Sequence, residues 1–253
     1  MRREKYIAVF DSGVGGVSVL RELMRLMPNE DYYYYGDSAN APYGLRETED
    51  VRRLTLAAAE YLFSLGSKCL VVACNTATAA AIDLLRATYP DRIIIGIEPA
   101  LKLSAQRHPG GTIGVMATDM TLREKKLADL VQRCRADCTV IPLPSPGIVE
   151  IVESGKSRSP ETEALLRREL TPYIGKLDAV VLGCTHYPFV KDSIRKILGD
   201  GVELLDGGEG TARETRRRLA EANLLSDGPG SLTIENSSLD PEMIRLTYRL
   251  LED

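Results

Sequence analysis

Two cysteines stand in matching surroundings. Leu70-Val71-Val72-Ala73-Cys74-Asn75-Thr76 and Ala179-Val180-Val181-Leu182-Gly183-Cys184-Thr185-His186 each run an apolar, strand-like stretch into a thiol followed by small hydroxyl or polar residues. A helical pattern follows both. A thiol beside a helix N-terminus is expected to have its pKa lowered from about 8.5, since the partial positive charge there favours thiolate. Either cysteine alone reads as a small buried hydrophobe. The pair reads as one site with two matching faces.

Other residues could serve those thiols. His186 lies two positions from Cys184, and in extended geometry both side chains would share one face, making the imidazole a proton partner. Asp11 and Ser12 end the first apolar run, and Gly36-Asp37-Ser38-Ala39-Asn40-Ala41-Pro42-Tyr43-Gly44 forms a long polar loop after the second. Such loops at strand ends commonly carry binding groups. Glu150 and Glu153 are three apart on a short helical stretch, whose default reading is a solvated face.

Gly13-Val14-Gly15-Gly16 invites a dinucleotide reading but fails the G-x-G-x-x-G pattern, because position 18 is serine, and no phosphate-binding Gly-Lys-Ser/Thr follows. It remains either a tight turn or a loop whose N–H groups approach an anion such as a carboxylate. Cys134 and Cys138 have no companion His/Cys pair at zinc spacing, and Cys69 merely starts a strand, so no metal is expected.

Positioning these groups requires an α/β fold. Strand-like runs near 6–10, 32–35, 69–73, 93–97, 112–117, 138–142, 179–183, 202–206 and 231–235 alternate with helical patterns near 17–27, 48–65, 78–88, 99–107, 121–134, 161–171, 189–198, 210–222 and 241–251. That alternation predicts a mostly parallel sheet. Tyr32–Tyr35 reads as an aromatic strand, and Pro142-Leu143-Pro144-Ser145-Pro146-Gly147 as a rigid loop. Asp240-Pro241 is a good helix start.

The pattern around Ile7–Gly13 recurs at Ile113–Asp119, an offset of 106 (113 − 7), close to the 110 (184 − 74) between the two cysteines. Two related halves are therefore expected to face each other, with a cleft at the carboxyl ends of their strands.

Bulk properties exclude several classes. A formal charge of −4 argues against a nucleic-acid footprint. The densest basic run, Arg213 to Arg218, is interrupted by Glu214 and reads as a solvated helix face. Asp11 ends the first apolar run too early for a signal sequence, and no stretch approaches the roughly 18 apolar residues of a membrane span. Five cysteines without a secretory signal point to free thiols in the cytoplasm.

At this point the motifs converge. Phe10-Asp11-Ser12-Gly13-Val14-Gly15-Gly16, Tyr35-Gly36-Asp37-Ser38-Ala39-Asn40-Ala41-Pro42-Tyr43-Gly44, Ala73-Cys74-Asn75-Thr76-Ala77 and Leu182-Gly183-Cys184-Thr185-His186-Tyr187-Pro188 resemble, in order, the signature blocks of the glutamate racemases. These belong to the cofactor-independent aspartate/glutamate racemase family. Pro146 to Glu153 also resembles that family's stretch ending in a functional glutamate. Asp119–Lys125, Asp206–Glu209 and the C-terminal segment depart from the pattern.

The resemblance implies two pseudo-symmetric α/β domains with mostly parallel sheets, 1–98 plus 208–253 carrying Cys74 and 99–207 carrying Cys184. It implies interconversion of L- and D-glutamate without pyridoxal phosphate, metal or other cofactor, supplying D-glutamate for peptidoglycan, and a homodimer as the assembly. One thiolate takes the Cα proton while the opposite thiol returns one. By resemblance Cys74 acts on the D-enantiomer and Cys184 on the L-enantiomer. Asp11 and His186 assist them and Glu153 orients His186. Asp11, Ser12, Tyr43, Gly44, Asn75, Thr76, Thr185 and His186 hold the amino acid.

Rival readings are an aspartate or broad-specificity racemase, a dithiol redox protein, a Cys184–His186 acyl-transfer enzyme and a carboxylate-binding module. A redox pair needs bonded sulfurs. An acyl-transfer site leaves Cys74 unexplained, and a binding module would tolerate loss of either thiol.

Overall fold

The computed structural model describes residues 5–123, 125–134 and 137–252. The strands are β1 (Tyr6–Asp11), β2 (Asp31–Gly36), β3 (Ser67–Val72), β4 (Ile93–Gly96), β5 (Thr112–Ala117), β6 (Thr139–Pro144), β7 (Ala179–Leu182), β8 (Glu203–Asp206) and β9 (Ser231–Asn236). The helices are α1 (Val17–Leu26), α2 (Thr48–Ser64), α3 (Asn75–Thr88), α4 (Leu101–Arg107), α5 (Asp119–Arg123), α6 (Lys125–Cys134), α7 (Ile148–Glu153), α8 (Pro160–Leu170), α9 (Lys191–Leu198), α10 (Gly208–Glu221) and α11 (Pro241–Glu252).

The strands form two sheets, ordered β4-β3-β1-β2-β9 and β6-β5-β7-β8. Every pairing is parallel. Reversed, the second order is β8-β7-β5-β6, which is the first with each strand advanced by four. The repeat glimpsed between Ile7 and Ile113 is thus a repeat of topology, with β9 as an addition to the first sheet. β3 and β7, which lead into the two cysteines, occupy the same place in each.

β3 and β7 are buried at every position, as strands covered on both faces require. β2 instead alternates. Tyr32 and Tyr34 turn into the core, and Tyr32 Oη donates to the carbonyls of Leu23 and Met27 at the end of α1, 2.9 Å each. Tyr33 and Tyr35 point the other way and stack on Tyr6 and Phe10. The aromatic run is a strand, as expected. One apolar cluster extends from Val9 and Val71 through Ile97 to Leu182 and Tyr187, so both sheets share a core.

Two expectations need correction. The proline-rich stretch is not all loop, because Thr139–Pro144 is strand β6. It lies at the edge of its sheet, where a residue without an N–H costs no ladder bond. The helix expected over 121–134 begins at Asp119 as α5, residue 124 lies outside the described residues, and α6 runs on to Cys134. The Arg213–Arg218 run is a solvated helix face, with Arg213 paired to Glu209 and Arg217 to Glu214 and Glu221. No described helix is long and apolar enough to cross a membrane.

Candidate active site

Cys74 is itself the N-cap of α3. Its backbone is still extended (φ −70°, ψ 121°), and its sulfur accepts the N–H of Ala77 at 3.4 Å. The thiol also donates to Ser12 Oγ at 3.4 Å. The strand-to-helix switch thus aims the sulfur along the helix axis. The expected lowering of its pKa does not follow. Burial, and then the neighbouring Asp11 carboxylate, push the Cys74 thiol up to about 12. At 4% exposure, desolvation of a thiolate outweighs one helix terminus.

Cys184 follows β7 after Gly183, whose Cα lies so near β5 that an added Cβ would stand 2.8 Å from the Met116 carbonyl oxygen. His186 is helical (φ −79°, ψ −26°) and starts a 3-10 turn over Tyr187–Val190, so the expected extended geometry is absent. The two side chains still meet, with Cys184 Sγ 3.6 Å from His186 Nδ1. On the far side of the ring, His186 Nε2 lies 2.7 Å from Glu153 Oε1. Burial alone would lower the His186 pKa. Hydrogen bonds to Cys184 and Glu153, with their negative charge, raise it well above the ordinary value.

Asp11 is fully buried beneath the cleft. It accepts the Gly13 N–H at 3.0 Å and the Thr185 hydroxyl at 3.1 Å, the latter from the other half of the chain. Burial raises its pKa, against the opposing pull of His186.

The glycine loop explains itself here. Gly13 N–H serves Asp11, and Val14 N–H donates to Glu153 Oε1 at 2.9 Å. These two N–H groups do approach carboxylates, and the carboxylates are the protein's own. A Cβ on Gly15 would stand 2.5 Å from His186 Nδ1 and 2.7 Å from Thr185 Oγ1. The loop is a contact surface between the halves.

Both thiols open onto one narrow cavity of about 70 Å³, together with Ser12, Tyr43, Gly44, Asn75, Thr76, Thr185 and His186. Asp11 and Glu153 do not line it and act from behind. Glu153 is tied to Val14 and His186, and the solvated-face default therefore fails for it.

Tyr43 donates to Asp37 Oδ2 at 2.6 Å, and Asn40 Nδ2 reaches both Asp37 oxygens at 3.0 and 3.1 Å. Asp37, buried, thus holds the loop that presents Tyr43 and Gly44.

Sequence reasoning missed several residues. Thr118, Asp119 and Ser145 also line the cavity, as does Glu150, which the sequence placed only on a solvated face. Thr76 Oγ1 lies 3.3 Å from both Thr118 Oγ1 and Thr121 Oγ1, and the latter two are 3.0 Å apart. The one available signal was position. Thr118-Asp119 follows β5 as Ser12-Gly13 follows β1, so the repeat that matched the cysteines could have marked Thr118.

The five cysteines are free. Among the described residues no group of three or more His, Cys, Asp or Glu is placed to hold a metal ion. His108 pairs with Glu203 at 2.7 Å, away from the cavity.

Comparison with known proteins matches this architecture. The sequence model of the Asp/Glu/hydantoin racemase family fits residues 7–215. The chain is 48% identical over 254 residues to the glutamate racemase of Clostridium botulinum (strain Alaska E43 / Type E3), covering 99% of this chain and 98% of that protein. A glutamate racemase isoform from Bacillus anthracis superposes with a TM-score of 0.90 at 29% identity, over 100% of this chain and 96% of the other. The Francisella tularensis glutamate racemase, solved in complex with D-glutamate, gives 0.86 at 27% identity, over 99% and 94% of the two chains.

Proposed function

The chain belongs to the Asp/Glu/hydantoin racemase family, and from that premise we propose that it interconverts L- and D-glutamate by passing the Cα proton between Cys74 and Cys184. The observation that carries this reading is the pair of buried thiols on one narrow cavity, delivered from equivalent strands of two repeated sheets. Racemisation needs a proton acceptor on one face of Cα and a donor on the other, and matched halves supply both. The enzyme is a cofactor-independent racemase, and an aspartate preference is not favoured beside curated glutamate racemases at 48% and 47% identity.

The two sides are unequal before substrate enters. Cys74 holds its proton, as its raised pKa requires. Cys184 faces His186, whose pKa is raised by its hydrogen bonds to Cys184 and Glu153 against the effect of burial. In the L-to-D direction Cys184 as thiolate takes the proton from Cα, and the Cys74 thiol delivers its own proton to the opposite face. Cys184 then holds a proton and Cys74 does not, and the site is set for D-glutamate. Proton return to the starting state runs through His186 on one side and Asp11 on the other.

The substrate's ammonium group, brought next to Cys74 in the cavity, offsets the cost of a charged Cys74. Asn75, Thr76, Thr185, Ser12, Tyr43 and Gly44 offer hydroxyl, amide and backbone N–H groups to the carboxylates and to the developing carbanion. Free cysteines suit a reducing cytoplasm, where a homodimer would supply D-glutamate to peptidoglycan.

The test is incubation with L- or D-glutamate in D₂O without added cofactor, following Cα deuteration and optical rotation. Exchange and inversion from both enantiomers are expected. A folded protein that does neither overturns the proposal.

A further inference from the structure

Tyr34 stands in the middle of β2, fully buried, in register with Val9 of β1 and Ile234 of β9. Its hydroxyl donates to the Gly13 carbonyl at 2.8 Å. That carbonyl belongs to the same peptide group as the Val14 N–H, which donates to Glu153 Oε1 at 2.9 Å. The same Glu153 oxygen meets His186 Nε2 at 2.7 Å, and His186 Nδ1 meets Cys184 Sγ at 3.6 Å. One peptide unit, Glu153 and His186 therefore connect a phenol of the first sheet to the thiol that follows the second. The carbonyl is also confined from the side, since a Cβ on Gly36 would stand 2.5 Å from the Gly13 oxygen.

A donor on a peptide oxygen makes the N–H of that peptide a stronger donor, because hydrogen bonds in series polarise one another in a low-dielectric interior. The consequence passes along the row. A better Val14 donor draws charge on Glu153 toward itself and leaves less for His186.

We propose that Tyr34 is a positioning residue for the reaction, setting through the Gly13–Val14 peptide how strongly Glu153 holds His186 and so how His186 serves Cys184. This rests on the two-thiol reading above. A phenol is the fitting group because Tyr34 must fill an apolar slot and still present one O–H. Burial raises its pKa far above the ordinary value, with Asp11, Glu153 and Cys74 adding to the rise, so it remains a donor throughout the working pH range.

The test compares the full chain with Tyr34→Phe and with 3-fluorotyrosine at position 34, a more acidic phenol. The chain has two histidines, so ¹⁵N-histidine labelling reads His186 directly, with His108 as the internal control. Loss of the hydroxyl should move the His186 Nε2 proton downfield as Glu153 becomes the stronger acceptor. The fluorinated phenol should move it upfield, and His108 should stay. kcat in Tyr34→Phe should fall about three- to tenfold, the worth of one buried hydrogen bond, with KM nearly unchanged. The same substitution in a Glu153→Gln background should cost less, since the row is already broken.

An unmoved His186 signal in both variants overturns the proposal, as does a moved signal with wild-type kcat. If the Phe variant does not fold, the fluorinated protein decides alone. The NMR reading needs no turnover, so a chain that failed to racemise glutamate would still test the row of contacts.

Discussion

Thr185 donates to Asp11 across 174 positions of sequence, Oγ1 to Oδ1 at 3.1 Å. The residue after one thiol therefore fixes a carboxylate that acts on the other. The two faces of the cavity are tied at this bond, and loss of a group on one side should be felt on both.

Cys74→Ser and Cys184→Ser should each reduce racemisation by about 10²–10⁴-fold, the usual worth of a positioned acid or base. Polarimetry from each enantiomer measures it. Full rate after either change would rule out any mechanism that needs both thiols, and a reaction on the remaining cysteine would have to replace it.

Asp11→Asn should separate stability from activity. Burial raises the folded-state pKa of Asp11, so the charged form opposes folding once pH rises above the unfolded value of about 3.9. The asparagine variant should therefore gain on the wild type in urea unfolding between pH 4 and pH 7, while its turnover falls. A wild-type advantage that grows with pH over that range would contradict the sign.

Glu153→Gln works in the other direction. His186 has its folded-state pKa raised, so its contribution to stability is complete below the unfolded value of about 6.5 and is lost as pH rises through the folded value. With the carboxylate gone, the variant should be most destabilised relative to wild type below pH 6.5 and approach it at alkaline pH. Its alkaline activity limb should move to lower pH. Unfolding titrations at several pH values and a pH–rate profile check both.

Tyr43→Phe removes the donor to Asp37 and loosens the loop that faces the substrate. KM for glutamate should rise about three- to tenfold with little change in kcat, from the net loss of roughly one hydrogen bond. A fall in kcat at constant KM would place Tyr43 in the chemical step instead.

Lys68→Met provides a contrast far from the cavity. Lys68 and Glu30 form a buried ion pair at 2.5 Å, with 5% and 1% of their side chains exposed, and Lys68 also donates to the Leu224 carbonyl. Leaving Glu30 unpaired should cost about 3–5 kcal/mol, seen in urea unfolding, with kcat unaltered at temperatures where the variant is folded.

Much of this was legible because it is local. An apolar run, a thiol and a small polar residue form a pattern within seven positions, so Cys74 and Cys184 stood out along with Asp11, His186 and the alternation that makes the fold. Glu153 was different. Its partners are Val14, 139 positions back, and His186, 33 positions on, and no spacing rule on its own helix reports them. The protonation of Cys74 was hidden for a related reason. The helix terminus is written in the neighbouring residues, whereas the burial that outweighs it arises when the second half closes over the first. Likewise Pro142 and Pro144 could be placed in a strand only once that strand was known to lie at an edge.

The fifth strand of the first sheet has a consequence for how the chain is made. β9 pairs with β2 from Asp31↔Ser231 to Gly36↔Asn236, a separation of 200 residues (231 − 31). Contacts this distant in sequence are slow to form because a long loop must close before they are rewarded. On the ribosome the entire β5-β6-β7-β8 sheet can emerge and fold while the sheet that began first still has an open edge along β2. The half that carries Cys74 therefore waits for its last strand until after the half that carries Cys184 has been synthesised.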